Sequence, residues 1–169
     1  MQQIYLFDWG DTLMVDFPGI QGKMCHWEQI EAVEGAQEAL SYLSQHNQIY
    51  IATGADDSSE DDIKLAFERV DLTQYISGYF CKANLGLSKG SAEFYSSIIE
   101  KLNVTPNQAT MVGDNIEKDI KPALEAGLGA IWFNPTFKNN HTDKSFKQIN
   151  KLKELCIFSG IYPTNTPRL

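Results

Sequence analysis

The stretch Ile4-Tyr5-Leu6-Phe7-Asp8-Trp9-Gly10-Asp11-Thr12-Leu13 decides the fold. Four apolar residues make a strand-length run, and a carboxylate, a glycine and a hydroxyl follow at once. Near-continuous apolar runs of this length belong to parallel strands covered on both faces. A strand that ends on Asp8 presents that carboxylate at the carboxyl edge of the sheet, where open α/β folds place their chemistry.

The same pattern recurs along the chain. Gln48 to Thr53, Gly78 to Cys81, Ala109 to Asp114 and Ala130 to Phe133 read as further strands. Amphipathic segments of helix length lie between or after them, at about 35–46, 58–69, 90–102, 117–127 and 144–155. Gly127 is placed to stop a helix, and Pro122 falls in that helix's first turn or kinks it. Strand and helix in alternation predict an α/β fold: a three-layer, Rossmann-like, doubly wound sheet of about five parallel strands with helices on both faces. Residues 14–34 break the rhythm and read as a short flap in place of a cap. One domain is expected over 1–158, with a surface tail at 159–169.

Composition narrows the function. At 169 residues and 43% hydrophobic, the chain can bury one real core. It has no run of about 18 apolar residues, so no membrane span is expected. Met1-Gln2-Gln3 leads straight into strand-like sequence, and Cys25, Cys81 and Cys156 are odd in number and widely spaced. A cytoplasmic protein with reduced thiols is the expectation. Residues 1–75 carry 14 acidic and 3 basic side chains, and residues 76–169 carry 8 and 11. Neither half has the basic stripe of a nucleic-acid binder, which disfavours such a partner.

Asp8, Thr53 and Asp114 end three of the strands, and Lys89 precedes a helix. Convergence of two carboxylates, a hydroxyl, an ammonium and glycine turns suits a divalent cation and a phosphoryl group. Four motifs in order then resemble those of the haloacid dehalogenase superfamily of phosphatases and related hydrolases. They are Leu6-Phe7-Asp8-Trp9-Gly10-Asp11-Thr12-Leu13, Ile51-Ala52-Thr53-Gly54, Gly86-Leu87-Ser88-Lys89, and Val112-Gly113-Asp114-Asn115-Ile116-Glu117-Lys118-Asp119-Ile120.

The resemblance implies a Mg²⁺-dependent hydrolase in which Asp8 attacks phosphorus to form an aspartyl-phosphate. It implies metal ligation by Asp8, the Gly10 carbonyl and Asp114, with Asp119 a further acidic contact or a partner for Lys89. Thr53 and Lys89 would bind the transferred group, and Trp9, Gly10 and Gly54 would line the substrate and phosphate site. Its substrate would be a phosphorylated small molecule or an exposed group on a larger one, handled by a monomer or homodimer.

Simpler explanations stand beside several of these residues. Asp119 also suits a helix N-terminus, Lys82 is a rival for Lys89, and Trp9 could be a crevice wall or a core aromatic. The acidic run from Asp56 to Asp62 reads as helix capping by Ser58 or Ser59.

The departure is Gly10. The superfamily's phosphatases carry there an aspartate that protonates the leaving oxygen and later activates water. Positioned acid–base catalysis is worth about 10²–10⁴-fold, so its loss weighs most on alkyl esters. Asp11 could substitute if the turn points it inward. The alternatives are a catalytically impaired phosphate- or metal-binding module and, at lower weight, a phosphonate-cleaving hydrolase using Lys23. A receiver domain is disfavoured, because receivers carry the phosphorylated aspartate on the third strand.

Overall fold

Every strand of the sheet runs parallel, in the order β3-β2-β1-β4-β5-β6. The computed structural model describes residues 2–137 and 143–158. Its strands are β1 (Ile4–Phe7), β2 (Gln48–Ala52), β3 (Gly78–Phe80), β4 (Ala109–Gly113), β5 (Gly129–Phe133) and β6 (Lys147–Ile149). The helices are α1 (Ala36–Leu43), α2 (Glu60–Glu68), α3 (Lys82–Leu85), α4 (Ala92–Leu102), α5 (Lys121–Glu125) and α6 (Leu155–Phe158).

Side-chain alternation along β1 explains the layers. Phe7 faces a core built with α1, α2 and the residues that follow β6, including Leu40, Ile63, Phe67 and Leu152. Ile4 and Leu6 face the opposite core, with Phe94, Tyr95 and Ile98 of α4 and Ala123 of α5. Leu6, Phe7, Leu40 and Ile98 are fully buried, and each such side chain contributes about 1.5–3 kcal/mol. The chain winds outward from β1 through β2 to β3, then returns to lay β4 on the other side of β1. That reversal puts the crevice between the carboxyl ends of β1 and β4.

Helix starts follow local chemistry. Ser59 caps α2 by accepting from the Asp62 amide, while the Asp62 carboxylate accepts from the Ser59 amide. Ser91 caps α4 in the same sense, by accepting from Phe94. Pro122 lies in the first turn of α5, directly after a π-helical turn at Ile116–Ile120, and Gly127 ends the segment with φ +85°.

Two expectations need correction. Among the described residues the sheet has six strands rather than about five, and 144–155 is not one helix. Phe146, Ile149, Leu152 and Leu155 recur at three-residue spacing, which mimics a helical stripe. The open edge of β5 wins: residues 147–149 pair with it, and the Glu154 carboxylate then turns the chain by accepting from the Asn150 and Lys151 amides. The tail expected at 159–169 lies outside the described residues. Among the described residues, no helix is long and apolar enough to cross a membrane.

Candidate active site

The Asp8 amide donates to the Val112 carbonyl at 2.9 Å, extending the β1–β4 ladder by one residue. Its carboxylate therefore leaves the sheet at the carboxyl edge. The chain then doubles back: Leu13 and Met14 amides both donate to the Trp9 carbonyl, and Asp11 takes the left-handed region at φ 58°. This tight loop buries Thr12 completely. The Thr12 hydroxyl lies 3.4 Å from Asp8 Oδ2 and 3.3 Å from Asp114 Oδ1, between the ends of β1 and β4.

Lys89 stands at the centre. Its ammonium donates to Asp8 Oδ1 at 2.6 Å, Asp119 Oδ1 at 2.7 Å and the Ala52 carbonyl at 2.7 Å. Those three partners use all three of its N–H groups. Burial alone would lower its pKa, yet Asp8 and Asp119 outweigh that and hold it above its ordinary value. Asp119 is buried and its other oxygen accepts from the Asn115 amide at 3.0 Å. A glycine must sit at 113 for this: an added Cβ would overlap Asp119 Oδ2 and stand 2.7 Å from Asp119 Cβ.

Asp114 completes the acidic group. Burial, then the charges of Asp8 and Asp119, push its carboxyl up to about 7. Burial also raises Asp119, with Lys89 offsetting only part of the effect. Oxygens of Asp8, Asp114 and Asp119 all lie within 4.8 Å of one another. Three carboxylates against one ammonium leave a deficit of two positive charges. A hard divalent cation fits both that deficit and the oxygen donor set.

Thr53 is buried at the end of β2, where its hydroxyl accepts from the Ala55 amide at 3.1 Å and bends the loop. Gly54 lets this loop approach Lys89, whose Cβ would be 3.4 Å from a side chain there. Lys82 instead pairs with Asp56 on the surface at 3.2 Å.

All nine residues singled out from the sequence, Asp8, Trp9, Gly10, Asp11, Thr53, Gly54, Lys89, Asp114 and Asp119, line one crevice of about 400 Å³. Trp9 is both wall and core: it is buried against Phe67, with its indole N–H 3.1 Å from Met14 Sδ. The Asp11 carboxylate accepts the Asp16 amide at 3.0 Å.

The 14–34 segment borders this crevice, contributing Asp16, Gly22, Met24 and Trp27 to the lining. It is tied at its base by Val15 to Glu31 and Val33 to Leu13 backbone bonds. Farther out, Lys23 pairs with Asp62 at 2.7 Å, and Arg69 donates to the carbonyls of Cys25 and Trp27 at 2.9 and 2.7 Å.

Sequence reasoning gave no role to Thr12, Asp16 or Gly113. Thr12 and Gly113 were inside the quoted motifs, so position could have flagged them. Asp16 carried no signal, because only the folding back of the flap brings it to the crevice. Burial, then the charges of Asp11 and Asp8, raise its carboxyl above the ordinary value.

A family model described as haloacid dehalogenase-like hydrolase matches residues 10–127. The ribulose-1,5-bisphosphate 5-phosphatase of Halopiger xanaduensis is 28% identical over 120 residues, covering 70% of this chain and 48% of that protein. The pyrimidine 5'-nucleotidase PynA of Streptococcus pneumoniae is 28% identical over 117 residues, covering 68% and 48%. The chain thus spans about half the length of the curated relatives it matches. Among solved structures, a protein from Listeria monocytogenes serotype 4b superposes with TM-score 0.79 at 19% identity, covering 92% of this chain and 96% of that one. The magnesium-bound HAD-hydrolase YfnB of Bacillus subtilis gives TM-score 0.75 at 17% identity, covering 95% and 99%. These two likenesses concern the fold.

Proposed function

The chain belongs to the haloacid dehalogenase-like hydrolases, and from that premise we propose that it is a Mg²⁺-dependent phosphatase acting through an aspartyl-phosphate on Asp8. The observation that carries the reading is the Asp8 carboxylate at a strand end, 2.6 Å from a fully engaged buried ammonium and grouped with two further carboxylates. The names of the phosphatase and nucleotidase relatives support a phosphorylated substrate.

Asp8, the Gly10 carbonyl and Asp114 would hold the metal, which when bound offsets the charge that builds between two anions. Lys89 holds and orients the Asp8 carboxylate through the 2.6 Å contact, so that its oxygen can attack phosphorus in line. Asp119 acts through Lys89, fixing the ammonium from behind. Thr12 holds Asp8 and Asp114 in register, and Thr53 with the Gly54 turn offers a hydroxyl and backbone to the phosphoryl oxygens. Trp9, Met24 and Trp27 give the crevice apolar walls, and its volume suits a small phosphorylated molecule.

The test is turnover of an aryl phosphate with Mg²⁺, alongside acid quenching to trap phosphate on the protein. Asp8→Asn should abolish both turnover and trapped phosphate, and a chelator should abolish turnover. Turnover that survives Asp8→Asn overturns the assignment.

Gly10 favours a second reading, a module that binds phosphate or metal without efficient turnover. It predicts Mg²⁺ binding by calorimetry with no turnover of aryl, acyl or alkyl phosphates. The phosphonate-cleaving reading needs a neutral amine for a Schiff base. Lys23 is poorly suited, because its hydrogen bond to Asp62 raises its pKa.

A further inference from the structure

The space that a side chain at position 10 would occupy is bordered by a carboxylate from elsewhere in the chain. A Cβ built on Gly10 would stand 3.5 Å from both Asp16 Cβ and Asp16 Oδ2 and 3.7 Å from Asp16 Cγ. Asp16 lines the same crevice as Asp8, Thr53 and Lys89. We propose that Asp16, delivered by the flap, is the proton-transfer carboxylate of this site.

Each of the other crevice carboxylates already has a hydrogen-bond partner on at least one oxygen. Asp8 and Asp119 hold Lys89, Asp114 shares the Thr12 hydroxyl with Asp8, and Asp57 accepts from Ser58. Asp11, the nearest candidate by sequence, spends its Oδ1 on the Asp16 amide. Among the described residues no hydrogen bond or ion pair holds the Asp16 carboxylate, while its backbone is held at its own N–H and at the residue before it. The Asp11 carboxylate takes its N–H, and the Val15 amide before it donates to Glu31. A general acid or base needs this combination of fixed backbone and uncommitted carboxyl.

The inference rests on Asp8 being the nucleophile. An Asp8 oxygen bonds to phosphorus, and the bond from phosphorus to the ester oxygen breaks. The electron pair stays on that oxygen, which takes the proton of the Asp16 carboxylic acid and departs as the alcohol. The Asp16 carboxylate then removes a proton from water as the water oxygen bonds to phosphorus. The bond to Asp8 breaks, its pair returns to the Asp8 carboxylate, phosphate leaves, and Asp16 is again protonated.

The experiment measures kcat/KM with Mg²⁺ for aryl phosphates of graded leaving-group acidity and for one alkyl phosphate. Asp16→Asn should lower alkyl phosphate turnover by about 10²–10⁴-fold and the best aryl leaving group far less, steepening the leaving-group dependence. Gly10→Asp added to Asp16→Ala should recover at least about tenfold over Asp16→Ala alone, because position 10 lies outside the left-handed region and the gap is then open. Thermal melts check folding, and Asp16→Ser replaces Asp16→Asn if the latter melts early.

An equal loss across all leaving groups overturns the role of Asp16 and leaves Asp8 standing. Unchanged turnover in Asp16→Asn does the same. Turnover that survives Asp8→Asn, or none by the unaltered protein, overturns the underlying reading and this inference with it.

Discussion

Lys89 Nζ and Asp119 Oδ1 stand 2.7 Å apart with only 2% of each side chain exposed, and Asp8 closes on the same nitrogen from the crevice side. A buried cation between two carboxylates cannot be removed without leaving charges unpaired. Lys89→Met is expected to cost about 3–5 kcal/mol of stability, read by urea denaturation, and to abolish phosphatase turnover. A variant as stable as the parent would show that the ammonium does not hold the carboxylates in place.

Gly113 is a steric requirement of the same pair. In Gly113→Ala the new Cβ meets Asp119, whose carboxylate is pinned by Lys89 and the Asn115 amide. Overpacking of this kind costs about 1–3 kcal/mol. The expected outcome is a lower melting temperature with a larger fall in kcat than the stability loss explains. Unchanged kcat would mean that Asp119 moves without consequence for Lys89.

At the proposed metal site, Asp114 would link metal binding to pH. Its folded pKa of about 7 lies above the unfolded value of about 3.9, so the folded protein binds the extra proton. Its contribution to metal-free stability is therefore present at low pH and is lost as pH rises toward 7. Mg²⁺ bound as proposed would supply positive charge in place of that proton. Apparent Mg²⁺ affinity should weaken by up to about tenfold per pH unit below 7, and Mg²⁺ should raise the melting temperature more at pH 8 than at pH 5.5. Equal shifts at both values would remove Asp114 from the metal site.

Arg69 clasps the flap by two short bonds to the Cys25 and Trp27 carbonyls. Arg69→Ala is expected to free residues 20–28, lowering their hydrogen-exchange protection by about 10–100-fold. KM should rise, since Met24 and Trp27 wall the crevice. Undiminished protection would mean that the Lys23–Asp62 pair suffices to hold the flap.

The sequence carried the strand-end residues because a parallel sheet forces them together: Asp8, Thr53 and Asp114 follow three apolar runs, and their motifs, each a weak signal alone, are recognisable as an ordered set. Lys89 needed the helix start behind it to be preferred over Lys82. What stayed illegible depends on long-range choices. Asp16 reaches Gly10 only after the flap folds back on α2, and no periodicity encodes that. The strand at Lys147–Ile149 was hidden because its apolar spacing also satisfies a helix, and only the open edge of β5 decides between them.

The ammonium of Lys89 has no spare valence. Each of its N–H groups already has a protein acceptor, so an incoming phosphoryl oxygen can reach it only by evicting one of them. Ligand capture at this point is a partner exchange that gains few hydrogen bonds. Inorganic phosphate should accordingly be a weak product inhibitor of the proposed reaction, in which attraction would be held back for the moment when negative charge moves away from Asp8 and toward phosphorus.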